Sequence, residues 1–360
     1  MRKIRVGIVF GGKSCEHEVS IRSARNVVEA LDRKKYEPVL IHIDKSGAWH
    51  LREALEDFSK QELVALIPKK EGSDLIHLSS PSSSSPPVEV IFPVLHGSFG
   101  EDGTIQGLFK MADIPFVGAG VLGSAVGMDK DVTKRLLRDA GIPIGKFLVL
   151  QKHQKDKCSY EECVSLLGSP FFIKPANAGS SVGVAKIRSE EEFALALNDA
   201  FSYDKKVMIE EFINGREIEC SILGNEHPIA SIPGEIIPQH EFYSYEAKYL
   251  DDNGAILQIP AILELDVIER VQKMAVDVFQ VLCCEGMARV DFFLTEDGKL
   301  FVNEINTIPG FTQISMYPKL WQASGLSYAD LLDRLIELAI QRSDAEKTIQ
   351  TAYVLEAKKS

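Results

Sequence analysis

The sequence has no run approaching the roughly 18 consecutive apolar residues of a membrane-spanning helix. Met1-Arg2-Lys3-Ile4 leads straight into a strand-forming stretch rather than a signal peptide. A cytoplasmic chain with no membrane partner is therefore expected. Basic charge is also in deficit: the formal net charge is −12. That excludes the extended cationic face that nucleic-acid phosphates require, though not a local basic pocket. Cysteine is sparse. Cys15, Cys158, Cys163, Cys220, Cys283 and Cys284 include no C-x-x-C pair, and no histidine stands at zinc-finger spacing. They read as reduced thiols, because a disulfide framework is unusual in a large cytosolic chain. No internal repeat is present.

What the chain does have is 360 residues, 45% hydrophobic and 26% charged, the composition of a globular protein too long for one compact core. Two or three domains are expected. Residues 4–10 form a short apolar run ending in Gly11-Gly12, and Val19, Ala24, Val27, Val28 and Leu31 follow with helical spacing. With a second strand over 37–43, this is the β-α-β start of an open parallel sheet, whose ligands sit at the carboxyl ends of strands. Residues 79–87, Ser-Ser-Pro-Ser-Ser-Ser-Ser-Pro-Pro, read as a surface loop. A buried strand over 88–95 then delivers His96-Gly97 and the glycine-rich stretch 98–103 to the same edge. A helix over 131–140, stopped by Gly141 and Pro143, opens a new domain. Strands around 147–150, 170–174 and 206–211, with a helix over 190–200, make a small α+β unit. Helices over 264–282 and 328–342 flank the last strands, and the polar tail after Ser343 is expected to fray.

Two motif matches fail on context. Gly7 to Ser14 fits G-x-x-x-x-G-K-[ST], but Ile8, Val9 and Phe10 are strand formers, not phosphate-wrapping loop residues. Gly118-Ala119-Gly120-Val121-Leu122-Gly123 fits the dinucleotide fingerprint. Its preceding strand is short and broken by Pro115, and the acid about 20 residues on, Asp139, lies in a helical run. A glycine-rich interdomain turn is the better reading.

The strongest local argument lies in residues 288–306. Ala-Arg-Val-Asp-Phe-Phe-Leu and Leu-Phe-Val-Asn-Glu-Ile-Asn flank Thr295-Glu296-Asp297-Gly298-Lys299. Asp-Gly is a strong hairpin turn. If Asp297-Gly298 is a two-residue loop, Asp291 stands opposite Glu304 and Arg289 opposite Asn306, all on one face. Two carboxylates facing each other across a ladder repel, and a divalent cation resolves the conflict. Asp291, Glu304 and Asn306 supply oxygen ligands of the kind magnesium takes alongside substrate phosphates. The bland alternative is a solvated polar face.

Two further stretches are compatible with this. Phe172-Ile173-Lys174-Pro175 precedes the small-residue segment 177–184, where glycine amides and the hydroxyls of Ser180 and Ser181 can close over phosphates; an ordinary flexible hairpin loop is the alternative. The apolar strand 207–213 ends in Glu210 and Glu211, with Glu217 after it. Acids and free backbone there suit an adenine amino group and ribose hydroxyls, or simply a strand edge.

A lysine before a Gly-Ser-Ser-x-Gly loop, an acid-ended linker strand, then Arg-x-Asp and Asn-Glu-x-Asn in that order resemble the ATP-grasp superfamily over most of the chain. Within it, four stretches closely resemble the D-alanine–D-alanine ligase family: residues 11–20 (Gly-Gly-Lys-Ser-Cys-Glu-His-Glu-Val-Ser), His96-Gly97 with Gly100-Glu101-Asp102-Gly103, Met128-Asp129-Lys130, and residues 243–249 (Tyr-Ser-Tyr-Glu-Ala-Lys-Tyr). The resemblance implies an ATP-grasp fold of three domains in the α/β and α+β classes. These are an N-terminal α/β unit at 1–125, a central unit at 126–212 and a C-terminal unit at 213–345, with ATP held between the last two antiparallel sheets and a polar tail at 346–360.

It also implies roles. Lys130, Lys174 and Ser181 would bind ATP phosphates, Glu210, Glu211, Phe212 and Ile213 the adenine, and Glu217 the ribose. Asp291, Glu304 and Asn306 would hold two magnesium ions, or manganese in their place. Glu16 would bind the ammonium of the first D-alanine and join Ser180 and Tyr249 in a closing network, with His96 nearby. Arg289 and the Gly310 backbone would stabilise an oxyanion, while Ser315 and Met316 would meet the second substrate's carboxylate. Lys248 belongs to the segment 246–249, whose presence favours an amine over D-lactate as second nucleophile. Cys15 stands where a small residue such as alanine is expected and reads as packing. A homodimer is the family expectation.

The implied chemistry suits these residue types. ATP phosphorylates the first D-alanine to an acyl phosphate, which the amine of the second then attacks. Loops around 179–183 and 242–249 are expected to close and exclude water. The competing readings are an ATP-grasp ligase for another carboxylate, separable by substrate discrimination, and a dinucleotide-binding protein, which would bind nicotinamide without ATP turnover.

Overall fold

The computed structural model describes residues 2–55, 62–68, 73–78, 87–239 and 255–350. Most of the serine- and proline-rich stretch 79–87, the whole of 242–249 with Lys248 and Tyr249, and residues 351–360 of the tail lie outside them.

The first sheet contains β1 (Ile4–Gly11), β2 (Tyr36–Ile43), β3 (Trp49–Arg52), β4 (Glu62–Pro68), β5 (Ser73–His77) and β6 (Val90–Val94), in the order β5-β4-β3-β2-β1-β6. β1 lies parallel to both β2 and β6, because α1 (His17–Ala30) carries the chain back across the sheet. From β2 to β5 the pairing is antiparallel. The sheet is thus mixed, not wholly parallel as expected. Connection length explains the difference: residues 44–48 between β2 and β3 are far fewer than a parallel crossover needs. Val6, Ile8 and Phe10 of β1 pack under Ala24 and Val27 of α1, and Val9 and Ile91 face Phe109 on the other side, where α2 (Thr104–Met111) lies.

Then come α3 (Val121–Met128) and α4 (Lys130–Asp139). The expected unit of β7 (Phe147–Gln151), α5 (Tyr160–Leu167), β8 (Phe171–Pro175), β9 (Ala185–Ile187), α6 (Glu190–Tyr203) and β10 (Lys206–Glu211) follows. Its antiparallel sheet runs β7-β10-β8-β9. Phe171, Ile173, Val207 and Ile209 pack beneath Phe193 and Leu197 of α6. The segment 176–184 links β8 to β9 and is therefore the tip of a hairpin.

The third sheet takes β11 (Arg216–Gly224), β12 (Ile229–Ala230), β13 (Gly234–Pro238), β14 (Ala255–Gln258), β15 (Gly286–Leu294) and β16 (Leu300–Asn306), with α7 (Leu265–Val281) packed on one face. Leu137 of α4 joins this core rather than that of the second sheet. After α8 (Met316–Ala323), α9 (Tyr328–Lys347) returns to the first sheet, where Leu331, Leu335 and Ile336 share a core with Val6 and Ile8. The helix continues to Lys347 instead of fraying at Ser343.

The hairpin of β15 and β16 differs from expectation in a way that cancels. Glu296, Asp297 and Gly298 form a three-residue loop: Thr295 N donates to Lys299 O at 2.9 Å, and Gly298 takes φ 75°, the left-handed position that such a loop gives to glycine. Pairing near the turn is therefore one residue out of the expected register, with Phe292 opposite Val302. A β-bulge at Asn303 adds the missing residue, so Asp291 still faces Glu304 and Arg289 faces Asn306. The apolar residues Leu300, Val302 and Ile305, all buried, carry that bulge as a phase slip from spacing two to spacing three.

Candidate active site

Between the second and third sheets lies a cleft of about 430 Å³. Its walls include Lys130, Lys174, residues 178–181, residues 210–217, Asn303 and Glu304, so stretches singled out separately in the sequence meet in one place. A larger cavity of about 590 Å³, lined by Arg5, Arg25, Arg33 and Arg52 against the first sheet, contains none of them.

Cations occupy one side of the cleft. Lys174, opposite Met208 in the pair of β8 and β10, reaches diagonally to Glu210, and the same carboxylate accepts from Lys134 of α4. Lys130, one turn earlier on α4, donates to Ala178 O at 2.7 Å and stands 3.7 Å from Glu304. Burial alone would raise the Glu210 carboxyl, but Lys134 and Lys174 hold it below its ordinary value. Its side chain thus bonds both lysines on the wall of the cleft. Glu211 turns to the other side of the strand and accepts from Lys146 N at 2.7 Å. The phenyl ring of Phe212 lies beside Phe172, with the Lys186 ammonium 4.1 Å from its centroid, a flat apolar surface suited to a purine. Ser180 and Ser181 adopt φ of 51° and 59°. Such left-handed non-glycine backbone costs about 1 kcal/mol per residue and persists where surrounding structure imposes it.

Acids occupy the opposite side. Glu219, Asp291 and Glu304 stand in register across β11, β15 and β16, a row that repulsion would disfavour without cations. Arg289 supplies one: Nε and Nη2 each reach Asp291 at 2.7 Å, and Nε stands 2.9 Å from Glu219. Burial works against its charge, yet Asp291 and Glu219 keep the guanidinium well above its ordinary pKa. Asn306 Nδ2 donates to Asp291 at 3.0 Å, which leaves its amide oxygen as a ligand atom. Among the described residues no three His, Cys, Asp or Glu side chains are already gathered at metal distance. The oxygen-only set of Asp291, Glu304 and Asn306 nonetheless fits a hard divalent cation entering with phosphate oxygens.

At the outer end, the loop after β1 brings Glu16 to Ser180, whose hydroxyl donates to it. Glu16 is buried, hemmed by Gly97, where an added Cβ would stand 2.5 Å from Oε2. His96 is also buried, with Nδ1 3.0 Å from Ile308 O and Nε2 3.2 Å from Ser23 Oγ. Burial, opposed by the Glu16 charge, lowers its pKa, so it is a neutral imidazole that donates to Ile308 and accepts from Ser23. Cys15 is exposed, which overturns its reading as a packing residue.

Glu101 ties this corner together by accepting from Gly97 N at 2.8 Å and Ile308 N at 2.9 Å. Its carboxyl is pushed up to about 8, first by burial and then by the charge of Glu16. A raised carboxyl pKa contributes stability that is present below about pH 4.5 and lost as pH rises through the folded value. Thermal stability should therefore fall between about pH 5 and 8 more steeply in the parent than in Glu101→Gln, which cannot ionise. The relative change is on the order of 3 kcal/mol, and parallel melting curves would refute it.

Beyond β16, the Ser315 hydroxyl accepts from Thr312 N at 2.9 Å, and a Cβ on Gly310 would stand 2.7 Å from it. The Gly310 backbone is thus held close to the start of α8. The Met316 side chain is buried with Ile236 and Leu320, so only its main chain, in the first turn of α8, suits a carboxylate. Sequence reading missed Lys134, Glu219, Glu101 and Asn303. The first was signalled by its four-residue spacing from Lys130 on a helix, and Asn303 by the phase slip. Only fold-level pairing reveals the other two.

Comparison with known proteins identifies the family. Residues 5–119 match the profile of the D-ala D-ala ligase N-terminus and residues 136–337 that of the D-ala D-ala ligase C-terminus. The chain is 52% identical to the D-alanine–D-alanine ligase of Shouchella clausii over 98% of its length and 99% of that protein. It is 50% identical to D-alanine–D-alanine ligase A of Escherichia coli K12 over 98% and 100%. Its fold superposes on the D-alanine-D-alanine ligase structure from Coxiella burnetii with a TM-score of 0.87, at 39% identity over 97% of both chains. On a D-Ala:D-Ser ligase from Enterococcus faecalis the TM-score is 0.83, at 36% identity over 94% and 100%. With two family profiles and full-length relatives in accord, the chain belongs to the D-alanine–D-alanine ligase family.

Proposed function

We propose that the cleft between the second and third sheets is the active site in which this chain performs the ligation of its family. The chain joins two D-alanines, with ATP as phosphoryl donor, in the synthesis of peptidoglycan precursors. The observation that carries the site reading is the meeting of Lys130 and Lys174 with Glu304 in one cleft, Glu304 standing opposite Asp291 in the third sheet. Cations for phosphates and oxygen ligands for a metal are useful together only around a nucleoside triphosphate.

Lys130, Lys174 and the amides of the 178–181 loop bind the phosphates, with Ser181 adding a hydroxyl. Phe212 and the backbone of Glu211 and Ile213 hold the adenine, and Glu217 the ribose. Asp291, Glu304 and Asn306 would hold the two magnesium ions, or manganese, whose charge would neutralise the transferring phosphoryl group. Glu16 takes the ammonium of the first D-alanine, whose carboxylate attacks the γ-phosphorus and releases ADP. The amine of the second D-alanine attacks the resulting acyl phosphate. Arg289, only part of whose five-donor capacity is used by Asp291 and Glu219, stabilises the oxyanion together with the Gly310 N–H. Collapse of the tetrahedral intermediate expels phosphate, and the attacking ammonium loses its proton. The start of α8, with Ser315 and the Met316 amide, orients the second carboxylate, and Lys248 and Tyr249 complete closure. The units 1–125, 126–212 and 213–345 are proposed as the moving domains, and the assembly as a cytoplasmic homodimer.

Purified protein with ATP and magnesium should release phosphate only when D-alanine is present and yield its dipeptide by mass. L-alanine, or D-lactate or D-serine as second substrate, should support much less turnover. Phosphate release independent of D-alanine would sink the substrate reading.

A further inference from the structure

The site reading does not use Lys134, whose side chain is 1% exposed. An unpaired lysine there is costly, because burial penalises the charged form by up to several pKa units. Three observations say what it does. It bonds the same Glu210 carboxylate that holds Lys174. It lies one helical turn after Lys130 on α4, so both lysines leave one face of that helix. Its ammonium also stands 3.4 Å from Val302 O, on the strand that carries Glu304. The group therefore sits where the second sheet, the third sheet and α4 converge, behind the phosphate-facing lysines.

We propose, resting on the ATP-site reading above, that Lys134 is a positioning residue for nucleotide binding. By neutralising Glu210 from behind, it leaves the Lys174 ammonium with surplus positive charge for the phosphates. The charge count gives the mechanism. Lys134, Glu210 and Lys174 together carry +1. Without Lys134 the remaining pair is neutral, and Glu210 competes with ATP for Lys174. Removing both Lys134 and Glu210 returns the local charge to +1.

The test is the set of the parent chain, Lys134→Met and Lys134→Met/Glu210→Gln, each assayed for ATP binding and for steady-state kinetics in ATP and D-alanine. The single variant should raise the KM and Kd for ATP on the order of ten- to a hundredfold, the loss expected of one charge-assisted contact, with the KM for D-alanine within about twofold of the parent. The double variant should recover ATP affinity to within about fivefold of the parent, a rescue that simple loss of packing does not permit. If the single variant fails to fold, the double variant, whose one remaining charge is the Lys174 ammonium that lines the cleft, still decides: ATP affinity a hundredfold below the parent overturns the proposal. So does a single variant with ATP affinity within twofold of the parent, or a double variant that binds no better than the single. Failure of the site reading looks different, since the parent itself would then neither bind ATP nor make the dipeptide.

Discussion

Replacing Arg289 by alanine is expected to lower kcat/KM by about three orders of magnitude, the scale on which a preorganised oxyanion donor acts. It should also destabilise the fold by roughly 3 kcal/mol or more. The second effect follows from the pairing. Asp291 and Glu219 face each other across β11 and β15, both nearly excluded from solvent, and Arg289 bonds both. Removing one partner of a buried ion pair leaves uncompensated charge, which costs more than the pair contributes. Glu304→Ala provides the contrast. Its side chain is 28% exposed and its contact to Lys130 is long, at 3.7 Å, so turnover should collapse while the urea midpoint barely moves. Arg289→Lys should recover part of the stability, but an ammonium cannot reproduce the two-pronged bond to Asp291. Steady-state kinetics with saturating ATP, paired with urea unfolding, separates the effects. Arg289→Ala within tenfold of the parent would remove Arg289 from the mechanism.

The contrast between these two residues also marks what sequence could reveal. Asp291, Glu304 and Asn306 were readable because two alternating strands and an Asp-Gly turn put acids on a common face, an arrangement that makes sense only with a cation. Lys174 was readable at the end of an apolar strand before a glycine-rich loop. Lys134 shares a helix face with Lys130, but that spacing does not show its burial: a lysine in a helix reads as solvated until Glu210, 76 positions away in the chain, is known to lie against it. Glu219 likewise reads as an ordinary outward strand position. In the first sheet, β3 was missed for a related reason: its buried side is His50 and Arg52, while Trp49 and Leu51 are only partly covered. Arg52 Nη2 lies 3.1 Å from His42 Nδ1 and His50 Nε2 3.0 Å from Asp44 Oδ2, contacts between polar side chains that no apolar spacing announces. Where burial is apolar, spacing reports it; where burial is polar, only the partner does.

Glu16→Gln tests the other end of the site. Glu16 comes from the loop after β1 and Ser180 from the hairpin between β8 and β9, so their hydrogen bond joins the first sheet to the second. An amide keeps the size of the side chain and can still accept from Ser180, but it carries no charge for a substrate ammonium. The loss of a buried charge-assisted contact is worth about 2–4 kcal/mol. The expected result is a fall in kcat/KM for D-alanine of roughly a hundred- to a thousandfold, with the KM for ATP changed no more than about threefold. Ser180→Ala removes a donor without touching the charge, so it should cost only about tenfold. Because both residues act through one contact, the losses in the double variant should fall short of their product. If Glu16→Gln instead weakened ATP and D-alanine alike, Glu16 would be acting on the closure of the 178–181 loop as a whole, and the ammonium would need another anion. Glu101, with its carboxyl pushed up to about 8, is the nearest alternative. It is a poor one at neutral pH, since it remains largely protonated there and both its oxygens already accept backbone N–H groups.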